Sequence, residues 1–299
     1  MYLAVSNLMI FLLGGVLMLP CRLAAQETAP VLAKGSLVIV GGAMQDTAIF
    51  NRFMQLAGGW DAPIVVVPTA MADDLSPEML QRVEQNFRER GVQQLTVLHT
   101  KDRQLADSEA FTAPIEQARG LWFTGGRQWR IADSYLHTRT QAAFEALLQR
   151  GGVIGGSSAG ATIQGAYLAR GDTKTNTIMM GDHEEGFAFL PNTAIDQHLL
   201  VRNRQFDLIE IISAHPELLG IGLDENTAIV VQGEEFEVIG QSFVAIYDHR
   251  LWTPQGREAA GYVLPQEAKF FFLRPGDRYN YVKREVVKWQ GRGRAVFER

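Results

Sequence analysis

A strand, a tight turn and a helix are predicted, in that order, for the segment Gly152-Val153-Ile154-Gly155-Gly156-Ser157-Ser158-Ala159-Gly160-Ala161. Its second half matches the Gly-x-Ser-x-Gly pattern, in which a serine lies on a strained turn between a strand and a helix. Small neighbours relieve crowding at such a turn, and the N–H of Ala159 can point toward a developing oxyanion. Ser158 is therefore the candidate nucleophile, because Ser157 has no glycine at the right offset on both sides. The alternative is a glycine-rich turn that holds a phosphate.

Apolar runs alternate with amphipathic stretches on both sides of this segment. We expect strands over residues 36–40, 63–68, 94–98, 120–123, 152–154, 221–223 and 227–231. We expect helices over residues 48–57, 76–90, 138–150, 159–168 and 199–212. Residues 240–299 indicate peripheral strands. Because strands that are apolar throughout alternate with helices, we predict a parallel sheet covered on both faces, in one α/β domain over residues 26–299.

Composition excludes several classes of function. The net charge of -5 argues against a general nucleic-acid binder, which is usually basic. The one cysteine, Cys21, lies near the N-terminus, so the folded body has no internal disulfide, thiolate nucleophile or thiolate metal site. This rules out cysteine-dependent amidotransferase chemistry. No metal or cofactor is expected, because the nearest candidate, Asp182–Glu185, is interpreted as a solvated acidic loop.

The N-terminal segment indicates export. The apolar run over residues 8–20 is short for a membrane span, which needs about 20 apolar residues, and suits the core of a signal peptide. Residues 23–25 form a plausible cleavage site, so residues 1–25 are predicted to be removed on export to the periplasm or the exterior, with no stable membrane insertion afterwards. No lysine or arginine precedes the run, which leaves a retained anchor or a misassigned start as alternatives. Pro20 before Cys21 disfavours a lipoprotein.

A serine nucleophile needs a base and an acid that orients it. Of the six histidines, His198 is the best candidate, at the front of a predicted helix. A short apolar strand ends at Asp224 and Glu225, and either carboxylate could orient the histidine. Another predicted strand ends at residues 124–126, where two glycines could bring a backbone N–H close to a bound carbonyl.

Four segments together resemble the cyanophycinase and aspartyl-dipeptidase family of serine peptidases, and most of all cyanophycinase. They are Thr124–Gln128, Gly156–Ala161, Asp196–Arg204 and Gly222–Glu225. The resemblance covers roughly residues 35–231. It implies a flavodoxin-like three-layer sandwich with a mostly parallel sheet, similar to class I glutamine amidotransferases but with serine in place of cysteine. The chain order serine, histidine, acid also differs from that of α/β-hydrolases, in which the acid precedes the histidine.

The resemblance implies a role for each matching residue. Ser158 would be the nucleophile, His198 its base and Glu225 the orienting acid, with Gly126 and Ala159 in the oxyanion hole. The residues implied to bind substrate are Gln128, Asp196, Gln197, Arg202 and Arg204. A homodimer is implied as well.

The implied reaction is the release of β-Asp-Arg dipeptides from cyanophycin, a poly-aspartate with arginine on each side-chain carboxyl. Each unit presents a carboxylate, which Arg202 and Arg204 could bind, and a guanidinium, which Asp196 could pair with. Asp207 stands where the family has a further arginine. This departure leaves dipeptidase activity on Asp-Xaa or isoaspartyl peptides as an alternative, and a non-catalytic peptide-binding module as another.

Overall fold

The computed structural model describes residues 32–260 and 267–290. Its strands are β1 (Leu32–Val40), β2 (Pro63–Val67), β3 (Gln94–Val97), β4 (Gly120–Phe123), β5 (Val153–Ser157), β6 (Gly165–Tyr167), β7 (Leu190–Gln197), β8 (Leu219–Leu223), β9 (Thr227–Gly233), β10 (Glu235–Gly240), β11 (Val244–Asp248), β12 (Phe271–Leu273), β13 (Arg278–Asn280) and β14 (Glu285–Lys288). Its helices are α1 (Thr47–Ala57), α2 (Pro77–Glu89), α3 (Arg103–Ala106), α4 (Glu109–Gln117), α5 (Gln128–Tyr135), α6 (Arg139–Gln149), α7 (Ala159–Thr162), α8 (Leu208–Ala214) and α9 (Pro254–Ala260), with a 3-10 turn over His249–Trp252.

The predicted export signal over residues 1–25, including Cys21, lies outside the described residues and stays a prediction. Over residues 32–260 and 267–290, no helix combines the length and the apolar character that a bilayer crossing requires.

Nine strands form the larger sheet, in the order β14-β13-β10-β9-β1-β5-β4-β2-β3. Five neighbouring strands run parallel to one another, in the order β1-β5-β4-β2-β3. On the other side of β1, strands β9, β10, β13 and β14 extend the sheet, each antiparallel to its neighbour. Because β5 lies between β1 and β4, the elbow after β5 is flanked by the loops that follow those two strands.

Side chains of the central strands alternate between two hydrophobic layers. In β1, Leu37 and Ile39 belong to one buried cluster, while Val38 and Val40 belong to another on the opposite face. The cluster of Val38 and Val40 includes Phe53 of α1, and the cluster of Leu37 and Ile39 includes residues of α6. Both faces of the sheet are therefore covered by helices, which confirms the predicted α/β fold with three layers.

A second sheet of five strands has the order β12-β11-β8-β7-β6. Its strands β6, β7 and β8 are parallel, and β11 and β12 are antiparallel. Ile195 of β7 and Ile221 of β8 lie in the same hydrophobic cluster as Leu37 and Ile39 of the larger sheet. The two sheets therefore share one continuous core.

The helix predicted from residue 76 is confirmed. Ser76 is its N-cap and accepts a hydrogen bond from the N–H of Met79 at 3.3 Å, and Pro77 begins the helix. A serine cap followed by proline is a favoured helix start, because proline has no N–H to leave unpaired there.

The helix predicted over residues 159–168 is wrong beyond Thr162. Residues 165–167 instead form β6, which pairs with β7. Gly160 and Gly165 weaken a helix at this place, and the edge of the second sheet offers the backbone an alternative set of hydrogen bonds.

The helix predicted over residues 199–212 is also wrong in its first half. A turn follows His198, and α8 begins only at Leu208. His198 and Asn203 both have φ of 55°, which no helix accommodates. His198 is thus held in a turn after a strand rather than on a helix.

Candidate active site

The elbow after β5 has the strained backbone that the sequence predicts. Ser158 has φ of 57° and ψ of -113°, and its N–H donates to the carbonyl of Val40 at 3.0 Å. A side chain at Gly156 would place its Cβ 2.2 Å from the carbonyl oxygen of Gly160, and one at Gly160 would lie 2.3 Å from that of Phe123. Both glycines of the motif are therefore required by close backbone approach.

The second sheet presents its own carboxyl edge to this elbow. His198 follows β7 directly, and Glu225 lies two residues past the end of β8, which pairs with β7. The N–H of His198 donates to the carbonyl of Gly41 at 2.9 Å, and that of Asn226 donates to Gly42 at 2.9 Å. The loop after β1 thus ties the ends of β7 and β8 to the larger sheet.

Three side chains form a continuous chain of hydrogen bonds at this junction. Ser158 Oγ lies 2.8 Å from His198 Nε2, and His198 Nδ1 lies 2.6 Å from Glu225 Oε1. Since the carboxylate can only accept, it places the imidazole proton on Nδ1 and leaves Nε2 free to accept the hydroxyl proton. This arrangement can activate a serine for nucleophilic attack.

Asp224 serves a different purpose from its neighbour. Its Oδ1 accepts the N–H groups of Leu200 at 2.9 Å and Val201 at 3.1 Å, and its Oδ2 accepts the hydroxyl of Ser242 at 2.6 Å. Asp224 therefore fixes the turn that follows His198. Of the two carboxylates left open by the sequence, the structure brings only Glu225 to the imidazole.

The backbone N–H groups of Gly126, in the loop after β4, and of Ala159, which follows the serine, have no acceptor in the described part of the chain. Gly126 has φ of 143°, and a Cβ there would lie 1.9 Å from the carbonyl oxygen of Ala70. A Cβ on its neighbour Gly125 would lie 3.8 Å from Ser158 Oγ, so this loop passes beside the nucleophile. Unpaired N–H groups at such a position can bind an oxyanion.

Gly42 is a functional position that the sequence analysis missed. Its φ is 129°, and a Cβ there would lie 2.3 Å from His198 Cε1. Only a residue without a side chain leaves space for the imidazole here. The pair Gly41-Gly42 after the strand predicted over residues 36–40 is the sequence feature that could have indicated this close approach.

Burial is the largest influence on the base and lowers the pKa of His198 below its ordinary value of 6.5. The hydrogen bond to Glu225 opposes this effect, and the charge of Arg202 adds to the lowering. The imidazole is therefore neutral, as a general base must be, down to mildly acidic pH.

We expect the acid limb of the pH profile of kcat/KM to report this titration. Activity should fall as the pH drops, with a midpoint below 6.5, because only the neutral imidazole accepts the proton of Ser158. In Arg202→Gln the midpoint should move upward, since a nearby positive charge has been removed. A wild-type midpoint above 6.5, or no shift in the variant, would contradict this account of His198.

Several of the residues predicted to bind substrate already have partners within the protein. Gln128 is buried, and its Nε2 donates to the carbonyls of Ala169 at 2.7 Å and Arg170 at 2.8 Å. Gln197 accepts hydrogen bonds from Arg204 Nη1 at its carbonyl and its Oε1, both at 3.2 Å.

Arg170 was not anticipated from the sequence and occupies the centre of a buried ion-pair cluster. It binds both oxygens of the fully buried Asp196, at 2.8 Å and 3.0 Å, and also pairs with Asp207. Arg202, in contrast, is exposed. A substrate guanidinium could reach Asp196 only if Arg170 moved.

Removing the positive charge of Arg170 is expected to destabilise the fold strongly. Arg170→Met leaves the buried Asp196 with only the 4.0 Å contact to Arg204, which should lower the free energy of unfolding by about 3 kcal/mol. Asp207→Asn should cost about 1 kcal/mol, because this partner is partly exposed and the Asp196 contacts persist. Denaturant titration measures both values, and a loss below 1 kcal/mol in Arg170→Met would refute the assignment.

Among the residues that the structure describes, no three histidine, cysteine, aspartate or glutamate side chains cluster as a metal site would require.

The fold and this site are those of a serine-type peptidase. A model of peptidase family S51 matches residues 37–239, and the chain belongs to that family. The resemblance to cyanophycinases that the sequence motifs indicate is thereby confirmed.

Curated relatives agree with this family, and a solved structure agrees with the fold. The cyanophycinase of Geminocystis herdmanii is 33% identical over 258 residues, which cover 83% of this chain and 94% of the relative. The cyanophycinase of Synechococcus elongatus is 32% identical over 225 residues, covering 73% and 69% of the two chains. The crystal structure of a peptidase from an acI-B1 actinobacterium has a TM-score of 0.61 at 23% identity, covering 83% of this chain and 97% of that one, and supports the fold.

Proposed function

We propose that this peptidase hydrolyses cyanophycin to β-Asp-Arg dipeptides through an acyl-enzyme on Ser158. The observation that carries the proposal is the chain of contacts from Ser158 Oγ to His198 at 2.8 Å and from His198 to Glu225 at 2.6 Å. The substrate is proposed because relatives at 32–33% identity over most of the chain are cyanophycinases.

We assign a group to each step of the proposed reaction. Ser158 Oγ attacks the scissile carbonyl carbon while its proton passes to His198 Nε2, and the N–H groups of Gly126 and Ala159 hold the oxyanion. The C–N bond breaks as His198 returns the proton to the leaving amine, which leaves an ester on Ser158. Water then attacks the ester carbon as His198 takes its proton, the C–O bond to Ser158 breaks as His198 passes that proton to Oγ, and the carboxylic acid product departs.

A dipeptidase acting on Asp-Xaa or isoaspartyl peptides is the second candidate. It is favoured by the residue at position 207. The resemblance implies an arginine there that could bind substrate, but this chain has Asp207, whose carboxylate pairs with Arg170. One carboxylate-binding group fewer would weaken recognition of a polymer that repeats carboxylates.

Incubation of the protein lacking residues 1–25 with insoluble cyanophycin, followed by mass analysis of the soluble fraction, tests the first candidate. Release of β-Asp-Arg is expected. No release, with Ser158 still labelled by a serine-reactive phosphonate, would leave the dipeptidase. Absence of both release and labelling would leave a non-catalytic peptide-binding module.

We also propose that residues 1–25 direct export, on the strength of the apolar run and the small residues that follow it. An exported enzyme would act on polymer released by other cells. The homodimer implied by the resemblance stays a prediction.

A further inference from the structure

The loop over residues 41–46 joins β1 to α1 and packs on the catalytic imidazole. A Cβ at Gly42 would lie 2.3 Å from Cε1, 2.6 Å from Nδ1 and 2.9 Å from Nε2 of His198. The backbone of Gly42 therefore lies against the ring, since there is no room for even one added carbon. The position of this loop limits how far the ring can tilt between Ser158 and Glu225.

The side chain of Asn226 closes this loop with two hydrogen bonds. Its Oδ1 accepts the N–H groups of Gln45 at 2.9 Å and of Asp46 at 2.6 Å. The amide presents its oxygen here because both partners are donors. The backbone N–H of Asn226 donates in turn to the carbonyl of Gly42 at 2.9 Å. One residue therefore binds both ends of the loop, and that residue follows Glu225 directly in the chain.

The turn that carries Asn226 is fixed by its own backbone contacts. Asn226 has φ of 53°, in the left-handed region that asparagine tolerates better than most residues. Its carbonyl accepts the N–H of Gln241 at 3.1 Å, and the carbonyl of the next residue, Thr227, accepts the N–H of Gly41 at 3.0 Å. The turn is therefore held independently of the Asn226 amide, and the amide can serve as a fixed anchor for the loop.

We propose that Asn226 is a positioning residue, whose amide holds the 41–46 loop against the imidazole and so keeps His198 Nε2 within hydrogen-bonding distance of Ser158 Oγ. The inference rests on the proposed hydrolase activity and concerns the same site. A displacement of about 1 Å at a reacting group can lower a rate about 10²-fold, so a side chain outside the triad can have a large effect on kcat. KM should change little, because the orientation of the base matters in the transition state.

The first test replaces Asn226 by glycine in the full-length enzyme. Glycine keeps the left-handed backbone but has no oxygen to accept the two N–H groups. With a soluble oligomer of β-Asp-Arg as substrate, kcat should fall about ten-fold or more and KM should stay within about two-fold of the wild type. Asn226→Asp should keep kcat within about three-fold of the wild type, since a carboxylate oxygen accepts both N–H groups.

Asn192→Gly is the matched control for the same chemical change. Asn192 is exposed and has φ of 55°, which also lies in the left-handed region. It lies near the start of β7, at the other end of that strand from His198. Its replacement by glycine should leave both kcat and KM unchanged.

A second readout does not depend on the identity of the substrate. The rate at which a serine-reactive phosphonate labels Ser158 measures how well His198 activates that serine. This rate should fall about ten-fold or more in Asn226→Gly and should be preserved in Asn226→Asp and Asn192→Gly. Thermal melts establish that each variant is folded under the assay conditions.

The outcomes separate this inference from the proposed function. Labelling at the wild-type rate in Asn226→Gly, or a loss confined to KM, would overturn the role of Asn226 and leave the hydrolase. Labelling that falls in Asn226→Gly but not in the control, without release of β-Asp-Arg by the wild type, would support the role of Asn226 and refute the cyanophycin substrate. A wild type that is neither labelled nor active would overturn both proposals.

The aspartate variant decides the matter if Asn226→Gly does not fold. A labelling rate within about three-fold of the wild type in Asn226→Asp would support the role of Asn226, because the acceptor oxygen is retained. A rate reduced about ten-fold or more in that variant would overturn it, since the two N–H groups would still have their acceptor.

Discussion

Replacing Ser158 with alanine is expected to lower kcat for dipeptide release by about 10⁴-fold or more. Alanine has no oxygen to form the ester, so the reaction must proceed by direct attack of water. The N–H groups of Gly126 and Ala159 remain, which is why some acceleration over the uncatalysed reaction should persist. Mass analysis of products over long incubations measures this residual rate, and the serine-reactive phosphonate should no longer label the protein.

The loss must be assigned to chemistry and not to unfolding. Ser158 lies in a strained turn, and among the described residues its side chain donates only to His198, so the melting temperature of the variant should match the wild type closely. Ser213→Ala is the matched control, because this exposed serine of α8 donates to the carbonyl of Ile209 within its own helix and lies away from the triad in sequence. A Ser158→Ala variant that keeps a tenth or more of the wild-type rate would show that another residue is the nucleophile.

The parts of the fold and site that could be predicted from the sequence are those determined by residues within a few positions of one another. The apolar strands and the small residues around Ser158 follow from patterns within a few positions, because backbone crowding and burial on both faces act locally. His198 is forty residues away from Ser158 and was selected for a predicted helix that is a turn in the structure, and the choice of Glu225 over Asp224 drew on the family resemblance. The turn that holds His198 depends on Gly41 and Asp224, which no local pattern connects.

Other features could not be predicted because they depend on tertiary partners. Residues 165–167 pair with β7 instead of extending a helix, since the sheet edge supplies hydrogen bonds that helix propensity does not anticipate. The ion pair of Arg170 and Asp196 joins residues on two different segments, and neither residue type indicates which partner it will find. Asp207 departs from the family pattern, yet its pairing with Arg170 became visible only in the fold.

The two adjacent carboxylates after β8 should respond in opposite ways to the same chemical change. Glu225→Gln is expected to lower kcat by about 10³–10⁴-fold, because an amide can donate to Nδ1 and stabilise the wrong imidazole tautomer. Its stability should change by less than about 1 kcal/mol, since Glu225 is partly exposed. Asp224→Asn should instead lower the free energy of unfolding by about 1–2 kcal/mol, because three hydrogen bonds lose their charged acceptor.

Steady-state kinetics and denaturant titration on the same two variants distinguish these roles. The catalytic loss in Asp224→Asn should stay within about ten-fold, because the Asn Oδ1 can still accept the N–H groups of Leu200 and Val201 and so hold the turn after His198. If Asp224→Asn instead caused the larger fall in kcat, the orienting acid would have to be Asp224. The 2.6 Å contact between His198 and Glu225 would then not be the one used in the reaction. Both substitutions remove one negative charge, and they do so at neighbouring positions. A difference in kcat between the two variants therefore reports which carboxylate contacts the imidazole and not a change in net charge.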